Sequence, residues 1–104
     1  MTRDLRLDYE LHGTTAEVAL TGDLDMAGAF KLEPAIERMV AETTVDRLVV
    51  DLAGVEFIDS AGVGSLVSTQ DRLSDLGIDA RFRSPSDAVR RVLDVSGVRD
   101  IPIV

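Results

Sequence analysis

Two short polar groups in this chain carry residue types that could do chemistry. One is Asp59-Ser60, followed by Ala61-Gly62-Val63-Gly64. The other is Asp23-Leu24-Asp25. A serine hydroxyl becomes a nucleophile only when a base lies within hydrogen-bond reach. The single histidine, His12, falls in an expected turn far from Ser60 along the chain, so it reads as a solvent-exposed turn residue and not as a general base. There are no cysteines, which excludes disulfides, zinc–thiolate sites and thiol nucleophiles. No lysine follows Gly62 and Gly64 as it would in a nucleotide-binding P-loop. Asp23 and Asp25 could hold Mg²⁺, but helix capping and loop solvation explain two carboxylates one residue apart more simply. What remains is a hydroxyl that another molecule could reach.

The elements around Ser60 are readable. Residues 48–52 form an apolar run with two adjacent valines, a buried strand that Gly54 is expected to close. Val63, Leu66, Val67 and Leu73 recur at helical spacing, and Gly77 stands where a C-terminal cap belongs. Either Asp59 or Ser60 can be the N-cap, since each offers an oxygen to a free amide of the first turn. The arrangement of strand, short connection and helix puts a hydroxyl at the positive end of a helix dipole. On residues alone, Ser60 reads as a plain cap before it reads as a modification site, since most capping serines have no other job.

Upstream, Leu5, Leu7, Tyr9 and Leu11 alternate with charged residues, then Ala16, Val18 and Leu20 alternate with Glu17 and Thr21. These are two half-buried strands of an antiparallel hairpin, the second ended by Gly22. Asp25 is a plausible cap for a helix over 26–42, with Phe30, Ile36, Met39 and Val40 as its apolar face and a kink or irregular start at Pro34. Downstream, 78–83 reads as a strand with Ile78, Ala80 and Phe82 inward. Ser84-Pro85-Ser86-Asp87 starts a helix capped by Ser84, with Val89, Val92 and Leu93 inward and Gly97 at its end. In the tail, Pro102 permits only an edge strand or an irregular segment. The order is β-β-α-β-α-β-α. It predicts an α/β fold: a mixed sheet of four to five strands, parallel across its crossovers, with helices packed mainly on one face. No internal repeat, linker or low-complexity segment is evident.

Composition bounds the rest. A chain of 104 residues with 45% hydrophobic content fits one globular domain over 1–104. Nineteen acidic residues against 11 basic give a net charge of −8, which argues against direct nucleic-acid binding and against an anionic membrane surface. No apolar stretch approaches the ~20 residues of a membrane span. The opening Met1-Thr2-Arg3-Asp4 has no leader pattern, so the cytoplasm is the expected compartment.

The pattern resembles the STAS domain, in the branch containing the bacterial anti-sigma factor antagonists, over essentially the whole chain. The most specific part runs from Val50-Asp51-Leu52 through Phe57-Ile58-Asp59-Ser60-Ala61-Gly62-Val63-Gly64. Leu20-Thr21-Gly22-Asp23-Leu24-Asp25, Ser84-Pro85 and the Ile101-Pro102-Ile103 ending support it. The resemblance implies that Ser60 is a phosphoacceptor for a partner that is both an anti-sigma factor and a serine kinase. The bare form would bind that partner and free the sigma factor, phosphorylation would abolish the binding, and a serine phosphatase would restore it. The implied partner surface is Asp23, Asp25, Asp59, Ala61, Gly62 and Gly64. The resemblance implies no catalysis by this chain, no cofactor and a monomer. The other role open to the family is a STAS scaffold or accessory subunit of a signalling or transport complex that is never phosphorylated. Relatives often carry a second hydroxyl residue after the phosphoserine, whereas this chain has Ala61.

Overall fold

The computed structural model describes residues 3–96 and 101–104. Apolar alternation in the first two strands sets up the sheet. β1 (Arg6–His12) and β2 (Thr15–Leu24) pair antiparallel across a turn in which Gly13 takes a left-handed φ of 63°. β3 (Arg47–Ile58) and β4 (Asp79–Arg83) add in parallel, giving the order β1-β2-β3-β4. The helices α1 (Met26–Glu42) and α2 (Ser60–Asp75) follow β2 and β3, and α3 (Asp87–Val95) follows β4.

One face of the sheet is dry. Val18, Leu20, Val50, Leu52 and Phe82 are buried there under Leu32, Ile36 and Met39 of α1, Leu66 and Leu73 of α2, and Val89 and Leu93 of α3. The other face is wet, with Arg83 against Asp51 at 3.2 Å and Arg47 against Asp79 at 3.6 Å. Such exposed pairs contribute little. The α/β class, the mixed sheet and the one-sided helix layer match expectation. The edge strand departs from it. Tyr9 and Leu11 face the helix side yet stay 42% and 47% exposed, because they lie out on the sheet's free edge.

Both strands that lead to the site run further than glycine punctuation suggested. β2 continues through Gly22 to Leu24, and β3 through Gly54 to Ile58. The register slips between Ala19↔Asp51 and Thr21↔Gly54, and again between Gly22↔Val55 and Asp23↔Phe57, so β3 carries extra residues at two bulges. A Cβ on Gly54 would stand 2.6 Å from Thr21 Cγ2 and 2.7 Å from the Leu20 carbonyl oxygen. Gly54 therefore permits a close approach of the strands instead of ending one. Asp51 Oδ1 accepts from the Ala53 amide at 2.8 Å, within this irregular stretch.

α1 runs unbroken through the exposed Pro34. Its buried stripe is Gly28, Leu32, Ile36 and Met39, and Phe30 is not on it. Six residues separate Phe30 from Ile36, which leaves them roughly 120° apart around the axis. α3 is capped by Ser86, whose Oγ accepts from the Val89 amide at 3.2 Å; Ser84 has a left-handed φ of 57° and stands outside the helix. Gly97, expected to end α3, lies outside the described residues. The tail is a single parallel bridge at Ile103, with the Phe82 amide donating to the Pro102 carbonyl at 2.9 Å and the Val104 amide donating to Phe82 at 2.8 Å. Among the described residues no helix is long and apolar enough to cross a membrane.

Candidate functional site

Because β2 and β3 are parallel and paired to their last residues, Leu24↔Ile58, their following helices begin side by side at the C-terminal end of the two central strands. Both helix starts are built alike. Leu24-Asp25-Met26-Ala27-Gly28 opens α1, and Ile58-Asp59-Ser60-Ala61-Gly62 opens α2. In each, the aspartate is the N-cap, and its Oδ1 accepts from the amide of the glycine three residues on, at 2.9 Å. In each, that glycine makes room for a strand carbonyl. A Cβ on Gly28 would lie 2.5 Å from the Asp23 oxygen, and one on Gly62 would overlap the Leu24 oxygen. A short internal repeat is thus present where none was expected. Its signal is an apolar residue followed by D-x-A-G, visible only when the two loops are aligned.

The cap being Asp59, Ser60 is released for other work. It takes the first position of α2 and is exposed. Removing this cap tests the assignment at modest cost. Asp59→Ala is expected to destabilise the protein by about 1 kcal/mol, while Asp59→Asn keeps most of that. Urea unfolding reads the difference, and equal midpoints for all three proteins would contradict the capping role.

The structure gathers Asp25, Asp59, Ser60, Ala61, Gly62 and Gly64 around the two helix starts. Gly62 is buried, whereas Gly64 is exposed and a Cβ there would meet nothing within 4 Å. Asp23 is placed differently. It is a strand residue, only 8% exposed, and its Oδ2 accepts from the Arg3 amide at 2.9 Å while its own amide donates to the Arg3 carbonyl at 3.0 Å. The two carboxylates of D-x-D therefore serve separate amides, which is the capping reading of that pair. His12 is the exposed last residue of β1, beside Glu10 and Glu17 at 3.5 and 3.7 Å. It pairs with Thr15, nine strand residues from Leu24, or roughly 30 Å from the site. No general base is available to Ser60 from that quarter.

Phe30, expected on the inward face of α1, is 76% exposed, and Met26 and Phe57, for which no role of their own was expected, are 62% and 51% exposed. Met26 is the repeat's counterpart of Ser60. A groove between the helices is lined by Met26, Phe30 and Glu33 on one side and by Ala61, Gly64 and Ser68 on the other. The phase of α1 around Ile36 and Met39 was the signal that could have placed Phe30 outside. The local charge is acidic: Asp25 and Asp59 cap the two helix starts, Glu33 lies about two turns into α1, and no lysine or arginine occurs between Asp51 and Gln70.

Known proteins share this plan. A family profile described as "Mlab, STAS domain" matches residues 7–104. The anti-sigma-B factor antagonist of Staphylococcus epidermidis is 30% identical over 98 residues, covering 94% of this chain and 90% of that one. The crystal structure of an anti-sigma factor antagonist from Mycobacterium paratuberculosis superposes with a TM-score of 0.81 at 30% identity, covering 96% and 85% of the two chains. SpoIIAA of Bacillus in its phosphorylated form gives a TM-score of 0.68 at 21% identity over 96% and 90%, a likeness of fold.

Proposed function

This chain belongs to the STAS domain family, and from that premise we propose that it is an anti-sigma factor antagonist switched by phosphorylation of Ser60. The unphosphorylated form binds an anti-sigma factor that is also a serine kinase, and the sigma factor is released. Phosphate on Ser60 abolishes the complex, and a serine phosphatase restores it. The protein works in the cytoplasm as a monomer, with residues 1–104 forming one STAS domain. It binds and carries no cofactor or active site of its own.

The observation that carries this reading is the exposed Ser60 hydroxyl at the first position of α2, left free because Asp59 does the capping. Its chemistry follows from the surroundings. A hydroxyl without a base waits for a kinase to supply one. The Gly62 amide already serves Asp59, so a new phosphate finds that donor occupied. It adds about −1.5 to −2 charge next to Asp59 and near Asp25. No cation of α2's first turns answers it, so the domain keeps its shape and the partner meets the change. A kinase also holds its nucleotide phosphates against the acceptor, and a second phosphate there meets like charge and bulk. Asp25, Asp59, Ala61 and Gly64 form the contact surface, and the buried Gly62 seats α2 on the strand beneath it instead of meeting the partner. Asp23 supports its rim from beneath by holding the Arg3 segment.

The test is incubation with the host's anti-sigma serine kinase and ATP, followed by intact-mass measurement. One phosphate is expected on the wild type and none on Ser60→Ala. No phosphate on the wild type, or equal labelling of the variant, would refute the reading in favour of a STAS accessory subunit.

A further inference from the structure

The two glycines of α2 differ in a way that capping and phosphorylation leave unexplained. Gly62 is forced by the strand carbonyl behind it. Gly64 is forced by nothing: it is exposed, its φ is ordinary, and a Cβ would meet no atom within 4 Å. A glycine in an exposed helix interior is the least favourable choice short of proline. Something outside the free domain must account for it.

Beside Gly64, across the groove, stand Met26 and Phe30, one turn apart on α1 and 62% and 76% exposed. Gly64 also lines the cleft that holds Ser60 on the α2 side. Ser60 and Gly64 are four residues apart on one helix, hence one above the other, about 6 Å along the axis. A kinase that places a phosphoryl group on Ser60 Oγ must therefore cover Gly64 as well.

We infer that the α1–α2 groove is a second contact of the same partner: an apolar ridge of the anti-sigma kinase lies between the Met26–Phe30 wall and the smooth α2 wall, touching backbone at Gly64. This rests on the proposed function above and adds the chemistry of the partner's surface. The ridge presents aliphatic or aromatic side chains to Met26 and Phe30. Around it the partner carries lysine or arginine, because Glu33 lines the groove and the two helices that form its walls start at the carboxylates Asp25 and Asp59. The charge sets the approach and its salt dependence, and the groove sets which kinase fits.

The experiment measures binding of the host's purified anti-sigma serine kinase by calorimetry, at two salt concentrations, to the wild type, Gly64→Ala, Phe30→Ala and Ser60→Asp, alongside thermal melts. Gly64→Ala is expected to melt about 4 °C higher, from helix propensity alone, and yet to bind at least about tenfold more weakly. Phe30→Ala is expected to melt as the wild type does and to lose about tenfold or more in affinity. If both variants bind within twofold of the wild type while Ser60→Asp fails to bind, the groove contact is wrong and the switch stands. If both lose binding while Ser60→Asp keeps it, the groove stands and the Ser60 switch is wrong. A wild type that binds none of the host's anti-sigma kinases overturns both.

Discussion

Ser60→Asp is expected to weaken binding to the anti-sigma kinase by more than about a hundredfold, or ~3 kcal/mol, without loosening the fold. In the free protein the position is permissive. Ser60 is exposed, does not cap, and stands at a helix start where a carboxylate is favoured by ~0.5 kcal/mol, a gain that repulsion from Asp59 offsets. The melting temperature should thus stay within a degree or two. In the proposed complex the position is strict: a negative side chain would meet the kinase's nucleotide phosphates, and a buried unpaired charge costs several kcal/mol. Aspartate carries less charge than a phosphate, so it sets a lower bound on the effect of true phosphorylation. Ser60→Asn separates bulk from charge: it should bind clearly better than the aspartate variant. Calorimetric affinities for the three proteins decide the matter. A Ser60→Asp variant that binds like the wild type would remove the basis of the switch.

The sheet and helices were legible because their signals are local. Alternation from Leu5 to Leu20, the valine pair in β3, and the caps at Asp25 and Gly77 each depend on a few neighbouring residues. The places where sequence and structure part are those where a distant element decides. Gly22 and Gly54 look like strand ends until β2 and β3 are seen to pass so close that a side chain at 54 has no room. Ser84 looks like a cap until its φ of 57° shows the chain still turning off β4, which moves the helix start to Ser86. Tyr9 and Leu11 look like core until the edge of the sheet leaves them partly bare. At the proposed site, the exposure of Ser60 and its place at a helix start were readable from the residues around it. Three features were not: that Asp59 is the cap, that Asp23 turns towards Arg3, and that Met26 and Phe30 form a wall across a groove from Ala61 and Gly64. Each depends on β2 and β3 ending in register, a property of the pairing and not of either segment.

That shared ending makes Gly62→Ala the most damaging small substitution available near the site. Alanine should help an isolated helix by about 1 kcal/mol. Here its methyl would overlap the Leu24 carbonyl oxygen and stand 2.8 Å from Ile58 Cγ1. The isoleucine tip can rotate. The carbonyl belongs to a strand paired on both sides and also lies 3.4 Å from the Asp59 amide, so α2 must lift away from the sheet. Such overpacking outweighs the propensity gain, and a net loss of ~3 kcal/mol is expected, a large share of the ~5–15 kcal/mol that holds a small domain together. Urea unfolding measures it, and an unchanged midpoint would mean that α2 does not sit on β2 as described. Gly28→Ala should act likewise, through the Asp23 carbonyl at 2.5 Å. Because Asp23 and Leu24 are neighbours on one strand end, the two losses should not add: a strand end already displaced for one helix gives part of the room the other needs. Gly64→Ala, two residues along the same helix, should move stability in the opposite direction. A reversal of sign over half a turn is the mark of a helix packed on the sheet on one side and open on the other.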